Sequence, residues 1–288
     1  ITDMEALGFH IPGYFDKVLD IEACWLQAAP SNKIRLAVKA YARKHKLDFY
    51  DLRKKQGLLR NLIIRNTPAG ECMVIVVFGS GETAVREGLL NYIRDHFPEV
   101  SSLAYVINEK HNDSLSDLEA VVYAGKPFLQ EELGELSFQI GPGSFYQTNS
   151  YQAAKLYDVA REFAGLNGHE LVYDLYTGAG TIANYLASSA EKVIGIEYVD
   201  EAVAHARANA ARNHIENTRF FAGDMAEMLN EVFWQNNGYP HVIVTDPPRA
   251  GMHPKVVRQL IGSGADRIVY VSCNPATQAR DVEWLSSA

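Results

Sequence analysis

Residues 171–183 read Leu171-Val-Tyr-Asp-Leu-Tyr-Thr-Gly-Ala-Gly-Thr-Ile-Ala183, and they decide the fold. Leu171–Tyr176 is short, apolar and aromatic, the composition of a buried strand. Gly178 and Gly180 permit a tight turn, and a helix is expected over Thr181–Ser189. A strand running through a glycine turn into a helix opens a doubly wound α/β sheet. The alternation continues, with strands expected at Val193–Tyr198, Thr218–Ala222, His241–Asp246 and Arg267–Cys273. Helices are expected at Asp200–Asn213, Ala226–Phe233 and Pro254–Gly262, and another from Pro275, with Asn274 as its cap. A helix from about Ser150 to Ala164 leads in. In such a sheet ligands bind at the carboxyl ends of the strands.

Those ends carry the chemistry. Asp174 stands four residues before Gly178, and Glu197 seventeen residues past Gly180, at the end of the second strand. A carboxylate there accepts both hydrogens of a ribose diol. Asp224, after the third strand, is placed to accept from an adenine amine. The pattern points to an adenosine-bearing cofactor. Gly178-Ala-Gly-Thr-Ile-Ala183 also fits a dinucleotide fingerprint, but an acid at Asp174 favours S-adenosylmethionine over a dinucleotide. The fourth strand ends in Asp246-Pro-Pro-Arg-Ala-Gly251. Two prolines make a rigid wall suited to a flat base, or else a plain turn. The fifth ends at Ser272-Cys273, where a helix N-terminus favours the nucleophilic thiolate. A lone cysteine is also commonly an inert small hydrophobe. Methylating carbon 5 of a pyrimidine requires such a nucleophile, because a thiolate adding at carbon 6 makes carbon 5 reactive. In the loop 141–149, Gln147 and Asn149 are amides available for a ligand or for turn hydrogen bonds.

Ahead of this domain the pattern changes. A strand over Lys17–Glu22 leads to Cys24, and residues 31–47 form an amphipathic helix with Ile34, Val38 and Tyr41 inward. Strands Leu58–Arg65 and Cys72–Phe78 flank a turn at Asn66–Gly70, then come a helix over 82–96 and strands at Ser102–Asn108, Ala120–Ala124 and Leu136–Ile140. This is a mixed α+β domain, its sheet covered on one face. The expected division is 1–140 and 141–288, each long enough for its own core. The 47% apolar and 22% charged fractions are those of an ordinary globular protein, with no apolar run long enough to span a membrane. No leader is read in Ile1-Thr-Asp-Met-Glu5. Three well-separated cysteines, Cys24, Cys72 and Cys273, argue for a reducing compartment and against disulfides, so the expected location is the cytoplasm. No zinc-ligand spacing is present. The net charge is −8, yet residues 31–66 hold eleven Lys/Arg against Asp48 and Asp51. That segment is either a phosphate-binding surface or a solvated helical face. As an RNA surface its candidates are Lys39, Arg43, Lys44, Arg53, Lys54, Lys55 and Arg60.

Residues 126–288 resemble the class I S-adenosylmethionine-dependent RNA (uracil-5-)-methyltransferase family. The likeness rests on Phe145-Tyr-Gln-Thr-Asn149, Asp174-Leu-Tyr-Thr-Gly-Ala-Gly180, Gly195-Ile-Glu197, Asp246-Pro-Pro-Arg-Ala-Gly251 and the highly specific Ser272-Cys-Asn-Pro-Ala-Thr-Gln-Ala-Arg-Asp281. It implies a Rossmann-like methyltransferase sheet preceded by an α+β RNA-binding domain. It implies Cys273 as nucleophile, with Gln147, Tyr176, Glu197 and Asp246 at the cofactor and pocket. Thr181 and Asp224 are added where the family more often carries Asn. Cys24, after Val18-Leu-Asp-Ile-Glu22, resembles the last of four cysteines that hold a 4Fe-4S cluster in the 23S ribosomal-RNA branch. Its three companions lie outside this chain, so a cluster is expected only in a full-length protein. Both ends are expected to be cut, with the sheet incomplete at its C-terminal edge and the family's general-base Glu beyond Ala288.

The expected activity is therefore methylation of uridine C5 in RNA, ribosomal RNA before transfer RNA, by a monomer. Two alternatives stay open. An adenine amino-group methyltransferase would use the Asp-Pro-Pro edge but not Cys273, and a noncatalytic RNA-binding protein would use residues 31–66 alone.

Overall fold

The computed structural model describes residues 5–115 and 117–287; the reading of a leader rests mostly on residues 1–4, outside that set. The chain divides into two compact units, one of Ile1–Glu131 with Ile140–Gly143, the other of Glu132–Gln139 with Ser144–Ala288.

In the first unit, β1 (Phe9–His10) pairs antiparallel with β2 (Val18–Leu19). Only two residues of the expected strand before Cys24 are therefore in a strand. Then follow α1 (Ser31–Lys44), β3 (Leu59–Asn66), β4 (Cys72–Phe78), α2 (Thr83–His96), β5 (Val100–Ile107) and β6 (Val121–Gly125). The sheet order is β3-β4-β5-β6, antiparallel, parallel, antiparallel. The expected hairpin turns at Gly70, whose φ is +86° and whose N–H donates to the Thr67 carbonyl at 3.0 Å. The sheet is not covered on one face only. Cys72, Val74, Val76 and Phe78 pack with Ile34, Val38 and Leu89, while Met73, Ile75 and Val77 pack with Ala104, Val106 and Leu129. Cys72–Phe78 is apolar at every position, as a strand buried on both faces must be.

The hairpin β7 (Leu129–Leu133) and β8 (Leu136–Ile140) follows. The sequence reading missed β7 because Gln130-Glu-Glu132 looks like loop. Its alternation of buried and exposed residues nevertheless has period two.

The second unit contains α3 (Ser150–Ala164), β9 (Leu171–Leu175), α4 (Thr181–Ala187), β10 (Lys192–Glu197), α5 (Asp200–Arg212), β11 (Thr218–Ala222), α6 (Met225–Met228), α7 (Glu231–Asn237), β12 (Val242–Thr245), α8 (Pro254–Gly262), β13 (Arg267–Tyr270) and α9 (Pro275–Ser286). Its five strands are all parallel, in the order β11-β10-β9-β12-β13. The first strand in sequence lies in the middle, and the order reverses between β9 and β12. That reversal opens a crevice at the carboxyl ends. Tyr173, Leu175, Ile194, Ile196 and Ile243 face a core closed by α6, α7 and α8 through Met225, Trp234 and Leu260. The opposite parity, Val172 and Asp174, faces the side on which α3 and α4 pack. One helix was expected over Ala226–Phe233. Two form instead, because the Asn230 side chain accepts the Phe233 N–H at 3.0 Å and starts a second helix. β12 and β13 also end sooner than expected, leaving Asp246 and Cys273 in loops rather than in strands. No helix among the described residues is long and apolar enough to cross a membrane.

Candidate active site

The glycine turn is built by close packing. Gly180 has φ +77°, and a Cβ there would lie 2.8 Å from the Ala206 Cβ on α5. Gly178 has φ +55°, but a Cβ there would meet nothing within 4 Å, so the space before it is open. Tyr176 is held at φ +63°, a conformation that is strained for a tyrosine and that clusters at functional sites. Asp174 is fully buried behind the turn. Its Oδ2 accepts the Thr177 hydroxyl at 2.5 Å and the Ala183 N–H at 2.9 Å, while Oδ1 is buried without a partner. Burial pushes its pKa up to about 7, against the two hydrogen bonds and with the Asp246 and Glu197 charges.

Glu197 ends β10 facing this turn. Its Oε2 accepts the Gly178 N–H at 3.1 Å, and its Oε1 accepts the Tyr198 and Val199 N–H groups at 2.8 and 3.1 Å. Thr181 is buried at the start of α4. Asp224 is exposed and caps α6, accepting the Ala226 N–H at 2.8 Å. Burial raises the Tyr176 hydroxyl to about 12, helped by the Asp281, Asp224 and Glu197 carboxylates, so these groups share one neighbourhood.

On the other side of the reversal, Asp246 follows β12, half-buried, with burial raising its pKa. Cys273 follows β13 and is exposed. Thr245 and Tyr270 are register partners and the Val271 N–H donates to the Thr245 carbonyl at 2.9 Å, so the two residues leave adjacent strands at the same end. Their loops are fastened together. Asn274 Nδ2 and Thr277 Oγ1 donate to the Arg249 carbonyl at 3.0 and 3.2 Å, and Arg280 Nη2 donates to that of Ala250 at 2.9 Å. The fully buried Asp281 Oδ2 accepts the Met252 N–H and the Tyr270 hydroxyl, both at 2.7 Å. Burial would raise the Asp281 pKa, but these donors and Arg280 outweigh it and hold it below the ordinary value. The sequence reading gave roles in this motif to Cys273 and, as helix cap, to Asn274, whose Oδ1 accepts the Ala276 N–H at 3.2 Å. The available signal was an Arg-Asp pair two helical turns past an Asn-Pro start, within reach of a proline-rich loop.

Gln147 is half-buried in the loop before α3. Asn149, not Gln147, takes the turn role, its Oδ1 accepting the Gln152 N–H at 3.1 Å. The Ala164 carbonyl at the end of α3 accepts from Arg267 at the start of β13. α3 therefore runs against the strands and carries Gln147 toward their carboxyl ends. Asp246 and Asp174 both act on Tyr157 of α3, whose pKa is raised chiefly by burial.

In the first unit the basic segment is largely paired with carboxylates of the same unit, most of them outside the segment. Lys39 meets Asp20 at 2.8 Å, Arg43 meets Glu5 and Asp20, Arg53 meets Asp16, and Lys54 meets Asp51 at 3.6 Å. Arg60 is not on an open surface: its side chain is 1% exposed, and it bonds Asp113 and three backbone carbonyls. Lys44 and Lys55 are exposed and make no ion pair among the described residues. Cys24 is half-buried, its backbone held by Asn32 at 2.9 Å. No group of three or more His, Cys, Asp or Glu that could hold a metal ion occurs among the described residues, so the residues present do not build a cluster site.

A five-stranded parallel sheet with an acid-bearing glycine turn and a ribose-type acid on the next strand defines a Rossmann-like methyltransferase fold. The family model described as tRNA (uracil-5-)-methyltransferase matches residues 126–288, and the chain belongs to that family. An RNA methyltransferase of Bacteroides thetaiotaomicron, otherwise uncharacterized, is 56% identical over 98% of this chain and 63% of its own length. Another from Porphyromonas gingivalis is 55% identical over 97% of this chain and 60% of its own. The chain thus spans about three-fifths of the length of the curated relatives it matches. Among solved structures, the tRNA (uracil-54, C5)-methyltransferase of Pyrococcus abyssi in complex with S-adenosyl-L-homocysteine aligns with a TM-score of 0.75. It is 29% identical, over 99% of this chain and 67% of that one.

Proposed function

We propose that the chain carries out S-adenosylmethionine-dependent methylation of uridine C5 in RNA, with Cys273 as the nucleophile. The observation that carries this reading is an exposed thiol at the sheet's carboxyl end, just before a segment that Asn274, Thr277, Arg280 and Asp281 fasten to the loop after Asp246. The residues present fit the cofactor. The orphaned Asp174 Oδ1 lies behind the turn, and Gly178 leaves room before it. Glu197 would hold the ribose hydroxyls and Asp224 the adenine amine, with Gln147, Tyr176, Gly180 and Thr181 around them. Bound S-adenosylmethionine supplies an electrophilic methyl group.

The chain's own residues handle the uracil. The Cys273 thiolate bonds to C6, and the electron pair of the 5,6 double bond moves onto the ring as an enolate. C5 is then the nucleophile toward the methyl group. Asp246, whose carboxyl pKa burial raises, holds the base edge against Pro247. Transfer of the C5 proton to a base, which the family resemblance gives as a Glu outside this sequence, expels the thiolate and restores the double bond. We infer ribosomal RNA as the substrate on the likeness around Cys24; Lys44 and Lys55 are the phosphate-facing cations.

The test incubates the natural protein with labelled S-adenosylmethionine and ribosomal or transfer RNA transcripts, then analyses the nucleosides. The reading expects 5-methyluridine, chiefly from ribosomal RNA. Methylated adenosine instead would sink it, and 5-methyluridine chiefly from transfer RNA would overturn the substrate assignment.

A further inference from the structure

α5 begins at Asp200, just past Glu197, so its N-terminal end stands at the carboxyl end of the sheet. Three of its polar side chains, His205, Asn209 and Asn213, recur every four residues and form one row along the helix. The methyl-transfer reading gives none of them a role, yet each is engaged. Asn213 Oδ1 accepts the Ser137 N–H at 2.7 Å, and its Nδ2 donates to the Ser137 carbonyl at 2.8 Å. Asn209 Oδ1 accepts the Gln139 N–H at 2.9 Å. His205 Nδ1 and the Ser144 hydroxyl share a hydrogen bond of 2.7 Å.

Strand and row match because their repeats match. Two residues of strand advance about 6–7 Å and four residues of helix about 6 Å, so alternate N–H groups of β8 meet successive members of the row. The side-chain amides stand where a neighbouring strand would. Strand and helix run in opposite senses. From Ser137 through Gln139 to Ser144 the chain meets Asn213, then Asn209, then His205, and so climbs α5 toward the end at which Glu197 stands. Gln147 follows in the same loop.

Asn209 differs from Asn213 in one respect. Its Nδ2 does not return to β8 but donates to the Ala179 carbonyl at 3.1 Å, inside the glycine turn. Ala206, one helical turn before it, is the residue that a Cβ on Gly180 would strike. Asn209 is 1% exposed and Ser144 3%, so water does not compete for their bonds. One buried amide thus ties the turn that would receive the cofactor to the strand that leads to Gln147.

We propose that Asn209 and the His205–Ser144 pair form a brace that positions the glycine turn and the Gln147 loop for S-adenosylmethionine. The proposal rests on the reading of this crevice as the S-adenosylmethionine site. Asn213 holds the same strand but bonds to neither the glycine turn nor residues 144–149 among the described residues, so it is the control.

The test is calorimetric titration with S-adenosylmethionine of the natural protein and of its Asn209→Ala, Ser144→Ala and Asn213→Ala variants. Thermal unfolding, and hydrogen exchange over residues 144–149 and 177–180 without ligand, are measured beside it. Asn209→Ala and Ser144→Ala should each weaken binding about 3–10-fold, the worth of one hydrogen bond felt at the cofactor, and speed exchange in those residues. Asn213→Ala should lower the melting temperature and leave both the affinity and that exchange unchanged. Ser144→Ala decides alone if Asn209→Ala fails to fold. Unchanged affinity in the two brace variants would overturn the proposal. So would equal weakening in all three, which would mean that the row acts only through general stability. Either result leaves the cofactor reading standing, whereas a natural protein that binds no S-adenosylmethionine would remove that reading and the proposal with it.

Discussion

Asp174→Asn should change the pH dependence of stability in a defined way. The folded chain holds the Asp174 proton up to about pH 7, because burial opposes the charge, whereas the unfolded chain releases it near the ordinary value of 3.8. Between those values the folded state binds more protons, so this group's contribution falls as pH rises from about 4 and levels off above about 7. The separation is roughly 3 pH units at about 1.4 kcal/mol each, or ~4 kcal/mol in all. Asn keeps an oxygen for the Thr177 and Ala183 donors and removes the titration. Denaturant unfolding of wild type and variant at pH 5, 6, 7 and 8 reads the difference. The variant should gain about 2 kcal/mol on wild type between pH 5 and pH 7, and only about a few tenths of a kcal/mol more by pH 8. Parallel curves would refute the reasoning, since they would mean that the buried carboxyl does not titrate between the two values. The variant should also bind S-adenosylmethionine more weakly if Oδ1 faces that ligand.

Three further outcomes follow from the same geometry. Asp281→Ala leaves the Met252 N–H, the Tyr270 hydroxyl and Arg280 without their acceptor; thermal or denaturant unfolding should show a loss of about 3–5 kcal/mol. Glu197→Gln should weaken S-adenosylmethionine binding about 10–100-fold by calorimetry and lower stability by about 1–3 kcal/mol, since the amide NH2 cannot accept the backbone N–H that one carboxylate oxygen now takes. In thiol labelling of the folded chain, exposed Cys273 should react first, and Cys72, 1% exposed with burial raising its pKa to about 11, only on unfolding. Fast labelling of Cys72 would contradict the packing of β4.

What the sequence made legible was whatever repeats with a period or requires a special residue. The strand–helix alternation after Leu171 and the glycines at 178 and 180 have direct backbone consequences, and both appear in the five-stranded sheet. β7 escaped because an acidic strand loses its composition signal and keeps only its period. The break at Asn230 escaped because a capping amide within an apolar run competes with helix propagation only locally. At the site, the residues in one motif could be quoted together, but not that Asp281 reaches back to Met252 across 29 residues. Nor could charge counting show that Arg35 and Arg60 point inward, because a guanidinium buried on carbonyls looks the same in sequence as one facing solvent.

The most direct test of the central claim is covalent trapping with RNA in which 5-fluorouridine replaces uridine. Fluorine at C5 cannot be lost as a proton is, so the ring stays bonded to sulfur after methyl transfer. With S-adenosylmethionine present, the account predicts a denaturation-resistant protein–RNA adduct that carries the transferred methyl group, maps to the Cys273 peptide and disappears in Cys273→Ala. An adduct that persists in Cys273→Ala, or methyl transfer to uridine C5 that survives that substitution, would contradict it.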